Sequence, residues 1–155
     1  MLVLHVMHGN DPAISRFAAD GHAAATALAV ARRFAEQAAL PRDPRERLAI
    51  VVEELILNIV EHGAADGGAI DLMLAREGDE IRLVIEDAGI FFDPRDVEPP
   101  ATLPQRGGGV GLALVRAWTR IDRYARANGR NRLELAIPLG GEASEKAGFT
   151  RFGSS

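Results

Sequence analysis

Apolar residues Leu48, Val51, Val52, Leu55 and Ile59 recur at three- and four-residue steps, the spacing of one buried helix face. The helix they predict has a clear start: Asp43 can cap, Pro44 fits a first turn, and Glu46 completes a capping-box-like pair. It runs to Glu61 and His62, with Gly63 as its stop. Upstream, residues 22–39 are rich in Ala and carry Leu28, Phe34 and Arg32-Arg33, a helix by propensity. Asp20-Gly21 starts that helix, since Asp can cap free N–H groups, and Leu40-Pro41 ends it. A third helix is read over residues 110–119.

Elsewhere the pattern shortens to the period of a strand. Ile81, Leu83 and Ile85 alternate with polar or smaller neighbours, so residues 69–75 and 80–86 form two strands joined by a turn at Glu77-Gly78-Asp79. Residues 122–127 and 132–137 are a second pair around Asn128-Gly129, and Leu2-Val3-Leu4-His5-Val6 is a short first strand. Residues 13–19 suit either a strand or a short helix. Residues 93–106 hold four prolines and no periodicity, and a loop of that length in a compact domain is usually functional or mobile. The sum is an α+β two-layer α/β sandwich, a mostly antiparallel sheet with helices on one face. We expect an N-terminal extension over residues 1–12, one domain over 13–138, and a C-terminal tail over 139–155 that is poorly ordered towards its end.

Composition narrows the classes. At 155 residues the chain fits one domain. A net charge of -4 argues against direct nucleic-acid binding, which rests on a local or net excess of Lys and Arg. The absence of cysteine excludes disulfides, thiol catalysis and thiolate-metal sites. No apolar stretch approaches ~18 residues and the start lacks the pattern of a signal peptide, so the expectation is a cytoplasmic protein with no membrane span.

Three blocks carry candidate chemistry. Glu54 and Asn58 lie one turn apart on the second helix and share a face, expected opposite to Leu55 and Ile59, and Glu61 and His62 continue the stripe. An amide oxygen suits Mg2+, which takes few protein ligands and relies on substrate phosphates. A carboxylate one turn away could orient or deprotonate an attacking hydroxyl. A solvated polar face would carry the same residues. Asp87-Ala88-Gly89 follows the predicted central strand. A carboxylate there could accept from an exocyclic amine such as adenine N6, and glycine would let a flat ring approach; a plain turn has the same composition. Gly107-Gly108-Gly109-Val110-Gly111 opens the third helix, offering free N–H groups to phosphates, although a flexible linker reads the same way. It is neither a Walker A loop nor a Rossmann fingerprint. Arg116, Arg120, Arg123, Arg126, Arg130 and Arg132 are read as solvated cations, with an acidic partner as the alternative, and Trp118 as core.

Taken in order, the blocks resemble the N, G1 and G2 boxes of the GHKL ATPase superfamily. The residues Glu53-Glu54-Leu55-Ile56-Leu57-Asn58-Ile59-Val60-Glu61-His62-Gly63, then Asp87-Ala88-Gly89-Ile90-Phe91-Phe92-Asp93-Pro94, then Gly109-Val110-Gly111-Leu112-Ala113-Leu114-Val115-Arg116, continuing to Tyr124 and Gly129-Arg130-Asn131-Arg132-Leu133, look most like the small bacterial anti-sigma-factor serine/threonine kinases. The resemblance covers about residues 13–138 and implies a Bergerat ATP-binding fold. By position it makes Asn58 the Mg2+ ligand, Asp87 the adenine reader, Gly89 part of the base pocket, and Glu54 the catalytic base. His62, Phe92, Gly107, Gly108, Gly109, Val110, Gly111 and Leu112 complete the implied ATP site, with residues 93–108 as its lid. Two departures stand out. Ile90 occupies a place where many relatives have a small residue or Pro, and Arg132-Leu133-Glu134-Leu135 has no Ser or Thr where several place a hydroxyl near adenine.

The implied function is an Mg-ATP-dependent kinase in a partner switch. It would phosphorylate an anti-sigma-factor antagonist protein and sequester a sigma factor or other regulator, with a homodimer through the N-terminal sheet as an expectation. The alternatives are an ATP-sensing or nucleotide-free binding module and a detached histidine-kinase-like catalytic domain.

Overall fold

The computed structural model describes residues 11–62, 68–90, 93–96 and 110–140. Strand β1 (Ala13–Ala18) leads into helices α1 (Ala23–Gln37) and α2 (Arg42–His62). A hairpin follows, β2 (Ala69–Glu77) and β3 (Glu80–Asp87), then a 3-10 turn at Pro94–Asp96, helix α3 (Val110–Trp118), and a second hairpin, β4 (Arg120–Ala127) and β5 (Arg130–Pro138). The strands form one antiparallel sheet in the order β1-β2-β3-β5-β4, so β3 is central as predicted. The architecture is the expected α+β two-layer sandwich. The predicted strand at residues 2–6, the tail after Gly140 and most of the proline-rich loop lie outside the described residues.

One face of the sheet is closed by the helices. Leu48, Val51, Val52, Leu55 and Ile56 of α2 pack on Ile70, Leu72 and Leu74 of β2, Leu83 and Ile85 of β3, and Leu135 and Ile137 of β5, all buried. Burial of each such side chain contributes about 1.5–3 kcal/mol. Helix α1 presents Ala23, Ala27, Ala31 and Ala35 to this core with Phe34, small residues that let the two helices approach closely.

Residues 13–19, ambiguous in sequence, resolve as a strand because β1 pairs with β2 over six consecutive residues, Ala13↔Leu74 to Ala18↔Ala69. Both helix starts differ in detail from expectation. Asp20 accepts from the His22 N–H at 2.8 Å, which sets a turn ahead of α1, but no side chain caps the helix itself. In α2 the first helical bond runs from Arg45 N–H to Pro41 C=O, so Asp43 sits inside the first turn and does not cap. Its charge still favours the positive end of the helix. Helix α1 closes with Leu40 N–H donating to Ala35 C=O while Ala39 adopts φ 49°, a left-handed C-terminal motif without the usual glycine. In the β4–β5 turn both Asn128 (φ 54°) and Gly129 (φ 73°) are left-handed, as a two-residue primed turn requires.

Among the described residues no element covers the other face of the sheet, which carries a row of alternating charges. Arg16 pairs with Asp71 at 2.6 Å, Asp71 with Arg130 at 2.8 Å, and Arg130 with Glu86 at 3.8 Å. Glu86 also pairs with Arg132, Arg132 with Glu134 at 2.8 Å, Glu134 with Arg82 at 2.9 Å, and Arg82 with Glu77 at 3.7 Å. Arg120 reaches both Glu80 and Asp122. The expectation that these arginines are merely solvated is corrected: the sheet period brings residues distant in sequence into register, and Arg120, Arg130 and Arg132 are ion-paired. Arg126 is bonded on the helix side of the sheet. Trp118 is half-buried against the core, with the Arg47 guanidinium 5.7 Å from its ring centroid, a cation–π distance. No described helix is long and apolar enough to cross a membrane.

Candidate functional site

A cleft of about 490 Å³, counted to its open mouth, lies between the C-terminal half of α2 and the helix-facing side of β3 and β5. Leu55, Ile59, Ile85 and Leu133 supply apolar walls, and Asn58, His62, Asp87, Tyr124 and Asn131 converge as polar groups, with Ile90 and Pro94 beside them. Alternation explains the aim of the strand residues. Asp87 is in phase with inward Ile81, Leu83 and Ile85, and Asn131 with inward Leu133, Leu135 and Ile137. Leu55 and Ile59, expected opposite to Asn58, line the same cleft. Successive helical residues are only about 100° apart, so the apolar and polar stripes adjoin and both reach the cavity rim.

Asp87 is nearly buried, at 9% exposure. Its Oδ1 accepts the Gly89 N–H at 2.8 Å and an Asn131 Nδ2–H at 3.1 Å. Among the described residues nothing donates to Oδ2. Gly89 is buried and is not among the lining residues. It works from behind, fixing Asp87 through its N–H while its carbonyl accepts from Arg126 at 2.8 Å.

Asn58 donates its Nδ2–H to the Glu54 carbonyl one turn back, at 2.8 Å. Since that partner can only accept, the amide is oriented with Oδ1 pointing away from the helix backbone. A hard neutral oxygen at the rim of the cleft fits one position of a Mg2+ shell, the rest coming from phosphates and water. Were Mg2+ bound here, Asn58 Oδ1 could hold it, and the ion would neutralise phosphate charge.

Glu54 is half-buried and lies against the first turn of α3 rather than in the cleft itself. A methyl group built on Gly111 would fall onto the Glu54 carboxylate, and onto its Cγ at 2.7 Å. Glycine is thus what admits the carboxylate to the start of α3. Burial, reinforced by neighbouring Glu53 and Glu61, holds the Glu54 carboxyl above the usual carboxylate range, which makes it a stronger base when ionised. Leu112, at 7% exposure, and Val115 anchor α3 to the core. After β3, Asp93 is nearly buried and accepts the Arg95 N–H at 3.0 Å and its guanidinium on both oxygens. That pairing starts the 3-10 turn.

The structure therefore brings together Asn58, His62 and Asp87 around one cleft and sets Glu54 beside Gly111. Phe92, Gly107, Gly108, Gly109 and the Val110 side chain lie outside the described residues. Sequence reasoning quoted Tyr124 and Asn131 only as part of the third block's resemblance and gave neither a role, and it read Arg126 as a solvated cation. Asn131 is 4% exposed and donates to Asp87, to Ile90 C=O at 2.9 Å and to Gly89 C=O at 3.3 Å. It accepts from Tyr124 OH at 2.9 Å and Arg126 Nη1 at 2.7 Å. The signal was present: a polar residue in phase with three inward apolar ones.

A Pseudomonas aeruginosa protein, the alginate biosynthesis sensor protein KinB, is 37% identical over 48% of this chain, and the match spans 13% of that protein's length. The structure of the RsbU and RsbW domains of Rv1364c from Mycobacterium tuberculosis superposes with TM-score 0.56 and 22% identity, covering 83% of this chain and 32% of that one. That likeness is one of fold. The mycobacterial sensor histidine kinase MprB gives TM-score 0.46 at 18% identity, covering 80% of this chain and 97% of that one. Residues 17–137 match the family described as histidine kinase-like ATPase domain, for which ATP is the implied nucleotide. With most of its length inside that match and its polar groups gathered on one cleft, the chain belongs to the histidine kinase-like ATPase domain family.

Proposed function

We propose that the chain is an Mg-ATP-dependent protein serine/threonine kinase of the anti-sigma-factor type. The observation that carries this is Asp87, whose Oδ2 has no donor among the described residues and which lines an apolar cleft, while Asn58 and Glu54 stand along the same helix. Asp87 accepts from the adenine N6 amine between the walls of Leu55, Ile59, Ile85 and Leu133. Asn58 Oδ1 takes one position on Mg2+, and the N-terminus of α3 faces the phosphates. Glu54 takes the proton from a Ser or Thr hydroxyl as its oxygen bonds to the γ-phosphorus, the bond to the β–γ bridging oxygen breaks, and ADP leaves. The work is mostly positioning and charge neutralisation. The protein substrate is an antagonist protein, and the unphosphorylated antagonist displaces a sequestered sigma factor or other regulator. The fold is shared with a chain that carries an RsbW domain, and this reading places the protein in the cytoplasm as a homodimer.

The test is Mg-dependent ATP binding by calorimetry, with Asp87→Asn and Asn58→Ala beside the wild type. Micromolar-range binding lost in both variants supports the site, and no binding by the wild type refutes it. The local identity to a sensor protein favours a second reading, a catalytic piece that phosphorylates histidine. An acid-labile phosphohistidine product would establish that reading, and acid-stable phosphoserine or phosphothreonine the first.

A further inference from the structure

Asn131 stands opposite Asp87 in the β3–β5 register, so the two side chains meet across the strands on the helix side of the sheet. Its amide is not free to choose a direction. The Arg126 guanidinium can only donate, and it sits 2.7 Å from Oδ1. The Tyr124 hydroxyl donates to the same oxygen. The Nδ2 side must then face the opposite way, where Asp87 Oδ1, Ile90 C=O and Gly89 C=O are all acceptors. Every polar atom of this buried amide is engaged with one polarity.

The consequence falls on Asp87. Two donors converge on Oδ1, so that oxygen is committed and Oδ2 is the one left to the cleft. The site therefore shows an acceptor, and no donor, at this point. A base carrying an amino group there gains a hydrogen bond. One carrying a carbonyl sets two acceptors against each other in an almost dry position, which sites built around a hydrogen bond reject strongly.

We propose that Asn131, locked by Arg126 and Tyr124, is the positioning residue that sets base specificity, holding Asp87 so that the cleft takes a 6-amino purine and rejects a 6-keto one. This rests on the nucleotide-site reading above and deepens it. It also implies that the polarity can be inverted. In Asp87→Asn the two donors still point at the Oδ1 position, so the amide oxygen must occupy it and the NH2 must face the cleft. The same pocket then offers a donor.

The experiment is calorimetry on the full chain with Mg-ATP and Mg-inosine triphosphate, which differ at the purine 6-position. The wild type should prefer ATP by at least ~10-fold, the weight of one hydrogen bond involving a charged group. Asp87→Asn should reverse the preference, and Asn131→Ala should weaken ATP about 10-fold, leave inosine triphosphate little changed, and so collapse the ratio. Arg126→Met, at an exposed position and so tolerant to folding, removes the obligate donor and should lower the ratio part of the way. A lower affinity for both nucleotides with the ratio intact in Asn131→Ala and Arg126→Met would show a merely structural amide and overturn the proposal. Wild-type binding of both nucleotides alike would overturn it while sparing the nucleotide site. Binding of neither would overturn the nucleotide-site reading and the proposal with it.

Discussion

Replacing Gly111 with alanine tests the contact between α2 and α3 directly. The position has no left-handed φ, so alanine meets no backbone strain there. In open space the change would stabilise the helix by roughly 0.8–1 kcal/mol through propensity. The space is not open: the new methyl would overlap the Glu54 carboxylate and reach its Cγ at 2.7 Å. Because Cγ is also too close, turning the carboxylate about its last bond does not relieve the overlap, and Glu54 must change rotamer nearer the backbone. Overpacking of this kind costs about 1–3 kcal/mol. The wild-type background should therefore show a net loss of up to about 2 kcal/mol, the helix gain offsetting part of the clash. Glu54→Ala removes the obstacle, and in that background Gly111→Ala should stabilise. The double-mutant cycle should give a coupling of about 1–3 kcal/mol, read from urea unfolding followed by circular dichroism. Equal effects of Gly111→Ala in both backgrounds would refute the account of Glu54 resting on α3. If Glu54 is the base, phosphoryl transfer should also fall in the single variant, because a displaced carboxylate no longer meets the hydroxyl.

Ala39→Gly should leave stability unchanged or raise it by about 1 kcal/mol in urea unfolding, since relief of the left-handed strain exceeds or matches the added freedom of the unfolded chain; a clear loss would refute the strain argument. Glu54→Gln should alter the pH dependence of stability. The folded-state carboxyl is held above its ordinary value, so the native chain binds the extra proton and the wild type loses stability as pH rises through that window. The variant lacks this loss, so its advantage should open above the usual carboxylate range and vanish in acid, as urea midpoints across pH would show. Asp93 runs the other way. Arg95 holds its carboxyl below the usual range, so its contribution is full above that range and is lost as pH falls through the lowered value. Asp93→Asn should flatten that acid limb in thermal melts.

The elements were legible where one period dominated. The α2 face, the two hairpins and the Asn128-Gly129 turn all follow from local spacing and turn chemistry. The strand β1 was not, because Ala, Ile, Ser and Phe in a short run fit either period, and only the six-residue pairing with β2 decides it. Asp87 and Asn58 were legible as candidates because acid and amide side chains stand out at strand and helix ends. Asn131 was quoted for the family resemblance, but its role was not legible, because Arg130-Asn131-Arg132 reads locally as a polar run after a turn. Its role comes from a partner 44 positions away in sequence. The arginines were misjudged for the same reason: their acids lie on neighbouring strands, and no local pattern announces a cross-strand pair.

The charge row on the open face has a consequence for how this sequence can drift. An end member such as Arg16 has one neighbour in the row, Asp71, which keeps Arg130 as a partner, so neutralising Arg16 loses one pair and leaves no carboxylate unpaired. An interior member such as Arg132 sits between Glu86 and Glu134, and Glu86 in turn also serves Arg130. Reversing Arg132 alone would set like charges beside it on two strands, and correcting one neighbour exposes the next. Homologous chains should therefore vary freely at the ends of the row and change in concert, or hardly at all, towards its middle. That gradient would be written in their sequences as correlated substitutions among residues 82, 86, 130, 132 and 134.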